Sequence, residues 1–152
     1  MTSKEDIQKL RQETGAGMME CKKSLEEARG DFSRARKHLA KNAVLISQKK
    51  AERIANQGII EAYVHQGKIG VLLELATETD FVSRNADFKG LAHELVMQIA
   101  SMNPQNIEDL LKGNYIRDET LTVKNLLDAA TAKLGENIQI KRFIRFELGE
   151  EV

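Results

Sequence analysis

The spacing of the apolar residues changes at Ile59, and this change restricts the folds that the chain can adopt. Before it, apolar residues recur at the three- and four-residue intervals that are typical of helices. Residues 59–64 and 69–75 instead follow a two-residue alternation around Gly67, which predicts two strands joined by a turn. The sequence therefore predicts an α+β protein with a helical N-terminal part and a β-hairpin at the start of its second part.

The first 42 residues predict three short helices separated by glycine turns. The breaks fall at Gly15 and Gly17 and again at Gly30, since glycine permits the backbone angles that tight turns need. A hydroxyl side chain at position 2 or 3 can cap the first helix, and Asp31 can cap the third. The stripe predicted to be buried on the second helix consists of Met18, Cys21, Leu25 and Ala28.

A helical pattern also continues over residues 43–55 and leads to the first strand. The sequence thus divides the chain into three segments. We expect a three-helix module at residues 1–42, a linker helix at residues 43–56 and an α+β core at residues 57–152.

Amphipathic helices follow the hairpin. They are predicted over residues 85–102, 107–112 and from position 120 or 122 to Leu134, with a polar connection over residues 114–119. The two long helices each carry a broad apolar stripe, so they can cover one face of a sheet.

Residues 138–147 predict a third strand, with an irregularity between Lys141 and Arg142 and with Phe143 and Phe146 on its buried face. Added to the hairpin, this strand gives a three-stranded antiparallel sheet covered by helices. The opposite face either stays open or packs against a second subunit. We therefore expect the core to be a dimerisation domain.

An aromatic residue lies where the hairpin gives way to the first long helix. Phe81 is flanked there by Asp80 and Arg84. Side chains at junctions between rigid elements often contact ligands or partners. The same pattern also fits an ordinary core aromatic with Asp80 as a helix cap, and these residues alone leave both interpretations open.

Composition limits the classes of protein that the chain can belong to. It has 23 basic and 23 acidic residues, and this zero net charge gives no electrostatic case for nucleic acid or an anionic membrane as a partner. No apolar run approaches the ~20 residues of a membrane span, and the N-terminus lacks an apolar signal core. Cys21 is the single cysteine, which fits a reducing compartment. We expect a cytoplasmic protein.

Sequence motifs for catalysis are absent. The glycines before the second helix follow no strand and precede no Lys-Ser/Thr pair, so they do not form a nucleotide-binding loop. No nucleophile elbow, cysteine pair or zinc-type His-Glu pair occurs, and His65 has no clustered ligand partner. We expect a binding protein rather than an enzyme, with no cofactor and no metal.

Three stretches of the chain resemble signatures of the translation elongation factor Ts family. They are LRQETGAGMMECKKSL at residues 10–25, ELATETDFVSRN at residues 74–85, and GENI at residues 135–138 followed by Arg142-Phe143. They occur in the family's order, and the match covers nearly the whole chain.

The resemblance implies a guanine-nucleotide exchange factor for elongation factor Tu, with an N-terminal module like a ubiquitin-associated (UBA) domain and an α+β core. In the family, the aromatic of a Thr-Asp-Phe-Val motif inserts near the magnesium site of the GTPase and speeds GDP release. On this sequence the motif consists of Thr79, Asp80, Phe81 and Val82. The resemblance thus favours Phe81 as an exposed contact residue.

A second contact is implied for the N-terminal module. In the family, an arginine and two methionines of this module touch a helix of the GTPase, and the matching residues here are Arg11, Met18 and Met19. Lys50 matches a basic residue near the same surface.

The chain departs from the family pattern at Ser24, Ala76-Thr77 and Asn42-Ala43, and it is short between Pro104 and Gly135. Many family members carry a second half of the core, whereas short members pair into homodimers. The resemblance therefore implies a homodimer that binds one GTPase per subunit. A dimeric interaction adaptor without exchange activity is the alternative function.

Overall fold

Seven helices and five strands make up the part of the chain that the computed structural model describes, residues 2–151. In chain order they are α1 (Lys4–Thr14), α2 (Met18–Glu27), α3 (Phe32–Lys50), β1 (Gln57–His65), β2 (Ile69–Thr77), α4 (Asp80–Ser83), α5 (Ala86–Met102), α6 (Ile107–Lys112), β3 (Asn114–Tyr115), β4 (Asp118–Thr122), α7 (Val123–Leu134) and β5 (Gln139–Glu147). This order confirms the predicted α+β fold.

The N-terminal helices begin and end at the predicted signals. Ser3 Oγ accepts a hydrogen bond from the N–H of Asp6 at 3.1 Å and caps α1. Asp31 caps α3 in the same way through the N–H of Arg34 at 3.1 Å. Gly15 ends α1 with a positive φ of 73°, a conformation that glycine adopts without strain.

These three helices bury a small apolar core of their own. It consists of Leu10, Cys21, Leu25, Ala28, Ala35 and Leu39. The prediction that Met18 is buried in this core is wrong, since its side chain is 43% exposed. Met18 is the first residue of α2, at the edge of the module, where no preceding turn of the helix shields it.

The third helix of the module and the predicted linker helix form one element. α3 runs for 19 residues without a break and packs against α7 of the second part of the chain. Ala43, at the expected boundary, is buried inside this helix. The division at residues 42 and 56 remains a prediction about domains, but no change of secondary structure marks position 42.

The sheet has the order β1-β2-β5, and both pairs of strands are antiparallel. Glu74 pairs with Arg142 and Leu75 with Ile140, so Lys141 is an extra residue in β5. This bulge confirms the irregularity predicted next to Lys141.

Helix α5 packs against β1 and β2, and apolar residues of α7 complete the main core. Its buried members include Val71, Leu73, Leu75, Phe88, Leu95, Ile99, Val123 and Ile140. The stripe predicted for α5 is buried throughout. Within residues 2–151, no helix is long and apolar enough to cross a membrane.

The other face of the sheet is uncovered and apolar. Its large exposed side chains are Ile60, Val64, Leu72, Ile144 and Phe146. The prediction that Phe146 shares the buried face with Phe143 is wrong, because residues an odd number of positions apart on a strand point to opposite faces. Phe143 packs against the core, whereas Phe146 is 65% exposed.

A small hairpin replaces the polar connection predicted before α7. β3 and β4 pair there, and Tyr115 points inward so that its hydroxyl donates to Glu94 at 2.8 Å. Gln98 of α5 binds the β3 side of this hairpin at two points: its Nε2 donates to the carbonyl of Asn114, and its Oε1 accepts from the N–H of Ile116. These contacts come from tertiary packing, which no local pattern in residues 114–119 indicated.

Candidate partner-binding site

A single helical turn, α4, joins the end of β2 to α5. Thr79 caps this turn, because its hydroxyl accepts a hydrogen bond from the N–H of Val82 at 3.3 Å. Asn85 then caps α5 by accepting from the N–H of Asp87 at 2.7 Å. Two caps within seven residues fix the path of the chain between a strand and a long helix.

Phe81 lies on this turn with its side chain 85% exposed. Its neighbour Val82 is 6% exposed and belongs to the main core, as does Phe88 at 0%. The interpretation of Phe81 as a core aromatic is therefore wrong, and Val82 and Phe88 have the buried role instead. An exposed Phe on an ordered turn is a feature of interaction surfaces.

Asp80 is engaged within the turn. One carboxylate oxygen pairs with Arg84, and the other accepts from the hydroxyl of Ser83 at 3.2 Å. The interpretation of Asp80 as the helix cap is wrong, since Thr79 caps α4. Asp80 and Arg84 therefore present a paired positive and negative charge beside the exposed ring of Phe81.

Glu136, in the segment after α7, binds the same junction. Its Oε1 accepts from the Thr79 N–H at 2.9 Å and from the Thr77 hydroxyl at 3.1 Å, and its Oε2 accepts from the Thr79 hydroxyl at 2.7 Å. Burial raises the pKa of the Glu136 carboxyl, but these hydrogen bonds outweigh burial, so the pKa lies below its ordinary value. Glu136 belongs to the GENI stretch that resembles a family signature, but no pattern in the sequence indicates these contacts.

The neighbours of Glu136 extend these contacts to the end of α3. Asn137 N–H donates to Glu78 at 2.7 Å, and the Asn137 side chain donates to the carbonyl of Arg53 at 2.8 Å. Lys50 Nζ donates to the carbonyl of Gly135 at 2.8 Å. The structure thus brings Lys50 to the junction that carries Phe81.

Arg11, Met18 and Met19 form a second exposed patch, at the α1–α2 turn. Met19 is 73% exposed and Met18 43%. In the part of the chain that the structure describes, no hydrogen bond or ion pair joins these residues to α4. The turn beside them does reach the core, because Thr14 lines a groove with Asp87 of α5 and Lys133 of α7, whose charged groups lie 3.2 Å apart.

Within residues 2–151, no group of three or more His, Cys, Asp or Glu side chains lies close enough to hold a metal ion. The polar groups at the junction are satisfied by one another. The junction therefore presents an ordered, exposed aromatic side chain.

The chain is similar to a known protein family and to several known proteins. Residues 78–152 match the family model described as Elongation factor TS. The chain is 40% identical to an elongation factor Ts of Thermoanaerobacter sp., and the alignment covers 100% of this chain and 97% of that protein. That alignment has 198 positions against the 152 residues of this chain, so the relative carries residues that this chain lacks.

The alignments with two other relatives cover different shares of those proteins. An elongation factor Ts of Thermodesulfovibrio yellowstonii is 39% identical over 95% of this chain and 94% of its own length. One from Nostoc sp. is 45% identical over 95% of this chain but only 46% of its own length. Both short and long relatives therefore match nearly all of this sequence. The chain belongs to the elongation factor Ts family of translation elongation factors.

Proposed function

We propose that the protein is a guanine-nucleotide exchange factor that accelerates GDP release from elongation factor Tu during protein synthesis in the cytoplasm. The observation that carries this proposal is Phe81, a large apolar side chain that is 85% exposed on a turn fixed by caps at both ends. Exposing such a ring is unfavourable unless a partner covers it.

Nucleotide exchange driven by the insertion of an aromatic side chain needs no catalytic acid or base. Phe81 inserts near the magnesium site of the GTPase, with the Asp80–Arg84 pair beside it, and disturbs the coordination of the metal and the phosphates. The protein then binds the nucleotide-free GTPase more tightly than the GDP-bound form. By linkage, its binding lowers the affinity of the GTPase for GDP by the same factor. Acceleration also requires GDP to leave the complex with this protein faster than it leaves the GTPase alone, which the disturbed metal and phosphate contacts would provide.

The remaining candidate residues have separate parts in the proposal. Arg11, Met18 and Met19 provide a second contact, in which the flexible methionine side chains adapt to a helix of the GTPase. Lys50 lies near the Phe81 turn and supplies a positive charge at its border. This arrangement gives the partner two contacts, one with each part of the chain.

Thr79 and Val82 support Phe81 from within the turn. Thr79 caps α4, and Val82 is 6% exposed, so it anchors the turn in the core. In this proposal their contribution to binding is to hold the Phe81 ring in place, with Thr79 also exposed at the edge of the contact.

The decisive experiment measures release of a fluorescent GDP analogue from elongation factor Tu, with excess unlabelled GDP and substoichiometric amounts of this protein. We expect acceleration by the unmodified chain, and a loss of about tenfold or more in kcat/KM for Phe81→Ala, as for a central contact residue. Leu148→Ala is the matched control, because Leu148 is also 75% exposed but lies after β5. Binding without acceleration would instead identify an interaction adaptor.

We also propose that the protein is a homodimer joined through the uncovered face of the sheet. The face is mainly apolar, and its charged residues Glu74 and Arg142 already pair with each other at 2.8 Å. A surface without unpaired charge is compatible with a copy of itself, as a two-fold interface requires. Each subunit then keeps its Phe81 turn and binds one GTPase.

A further inference from the structure

The direction of Phe81 depends on Thr79. The backbone of Thr79 is extended, with φ −125° and ψ 153°, and its hydroxyl caps α4. α4 has four residues, too few for a helix that is stable by itself. The contacts that fix Thr79 therefore set the orientation of the turn and of the Phe81 ring that the turn carries.

Glu136 holds Thr79 at two points, the N–H at 2.9 Å and the hydroxyl at 2.7 Å, and holds Thr77 at a third. A carboxylate accepts all three hydrogen bonds, since each oxygen has two lone pairs. A glutamine would keep a single acceptor oxygen and would turn donor hydrogens towards a donor. The negative charge of Glu136 therefore suits this junction better than a neutral side chain of the same size.

Glu136 is itself fixed from two directions. On one side Asn137 N–H binds Glu78, which adjoins the junction. On the other side Lys50 binds the carbonyl of Gly135, and the Asn137 side chain binds the carbonyl of Arg53. Residues 135–137 thus hold the junction from outside it, with support from the end of α3.

We propose that Glu136 is a positioning residue that keeps Phe81 in the orientation in which it meets the GTPase. Glu136 acts through Thr79 and need not touch the partner. This inference rests on the proposed function of Phe81, and the test separates the two.

The test compares GDP release in the unmodified chain, Glu136→Gln, Phe81→Ala and the double variant. We expect Glu136→Gln to lower kcat/KM roughly tenfold, the effect of losing hydrogen bonds to a charged group. In the Phe81→Ala background the same change should have no further effect, because the ring that Glu136 positions is gone. Glu108→Gln is the control, since it changes a carboxylate that pairs with Lys112 one turn along α6. Losses that multiply in the double variant would overturn the inference.

A second measurement needs no GTPase. The N–H groups of Ser83 and Arg84 donate within the turn, to the carbonyls of Thr79 and Asp80. We expect their hydrogen exchange to be faster in Glu136→Gln and unchanged in Glu108→Gln. Unchanged exchange in Glu136→Gln would overturn the positioning role. If Phe81→Ala accelerated GDP release as well as the unmodified chain does, the proposed role of Phe81 would fail, whereas faster amide exchange in Glu136→Gln would still show that Glu136 orders the turn.

Thr79 gives an independent check should Glu136→Gln fold poorly. Thr79→Ser keeps the hydroxyl and should keep the rate of GDP release. Thr79→Val keeps the shape but removes both the cap and a donor to Glu136, so it should slow release as Glu136→Gln does. Equal rates for the two Thr79 variants would contradict the inference.

Discussion

Phe81 and Val82 are adjacent in the chain but have opposite environments, 85% and 6% exposed. Each residue of a helix is rotated by about 100° from the last, so on the single turn of α4 only one of the two can face the core. Val82 packs into the core that the sheet and α5 form, and this leaves the Phe81 side chain outside it. Packing in the core and the proposed partner contact thus fall to different side chains of one turn.

This division predicts different stability effects for two alanine variants. Val82→Ala should lower the free energy of unfolding by about 2 kcal/mol, because it removes buried methyl groups. Phe81→Ala should change it by less than about 0.5 kcal/mol, as for an exposed residue. Urea unfolding followed by circular dichroism measures both. A large loss of stability in Phe81→Ala would show that the ring is packed after all.

The raised pKa of Tyr115 predicts that the protein loses stability at alkaline pH. Burial and the hydrogen bond to Glu94 raise the pKa of Tyr115 from 10.0 to about 12. The folded state therefore favours the neutral phenol, and this contribution is complete below pH 10 and is lost as the pH rises through about 12. In Tyr115→Phe the free energy of unfolding should fall less steeply over this range. Identical pH dependence in the two proteins would contradict the assignment.

At the scale of elements, local signals predicted most of the fold. The caps at Ser3, Asp31 and Asn85 act within three residues, so the sequence around them contains all the groups involved. The alternation in residues 59–75 likewise needs only neighbouring residues. The α+β fold class and the strand bulge at Lys141 followed from such patterns.

Other features could not be predicted because their causes lie far apart in the chain. Glu136 binds Thr79 from 57 positions away, and Gln98 organises the β3–β4 hairpin from 16 and 18 positions away. The exposure of Phe81 itself was left open by local pattern and was favoured only through family resemblance. No short-range pattern records which distant side chain fills such a position.

The backbone of β2 lies so close to Gly58 in β1 that we expect a side chain there to disturb the pairing of the two strands. Its φ is +154°, and a Cβ there would lie 2.1 Å from the carbonyl oxygen of Leu75. Gly58→Ala should therefore lower the free energy of unfolding by roughly 1–3 kcal/mol, the cost of overpacking against atoms that cannot move freely. Thermal unfolding measures this loss.

Gly90 is the matched control for that substitution. It lies within α5 with no atom in the space that a Cβ would fill. Gly90→Ala should raise the free energy of unfolding by about 0.5–1 kcal/mol, because alanine favours the helix more than glycine does. Equal effects at the two positions would show that the strands can separate locally to admit a side chain.

At the scale of the whole molecule, α3 connects the two parts that carry the proposed contacts. Its 19 residues span about 28 Å at the rise of an α-helix. The helix begins in the N-terminal module and ends at Lys50, beside the segment that supports the Phe81 turn. A continuous helix packed on α7 holds the two contact patches more firmly than a flexible linker would.

The uncovered sheet face predicts the oligomeric state. We expect a dimer in sedimentation equilibrium at micromolar concentration. Ile144→Asp should give a monomer, because it would bury two uncompensated carboxylates in a two-fold interface. Leu45→Asp, at a similarly exposed position on α3, should leave the dimer intact. A monomeric unmodified chain would contradict the dimer, as would an unchanged dimer in Ile144→Asp.

The burial of Cys21 makes the protein well suited to site-specific labelling. It is the single cysteine of the sequence, and its side chain is 0% exposed within the core of the N-terminal module. Burial raises the pKa of its thiol, so little of the reactive thiolate is present at neutral pH. A cysteine introduced at an exposed position would therefore react with a maleimide dye well before Cys21 does. A donor dye attached in this way, with an acceptor on the proposed GTPase partner, would report binding and dissociation in real time without replacing Cys21.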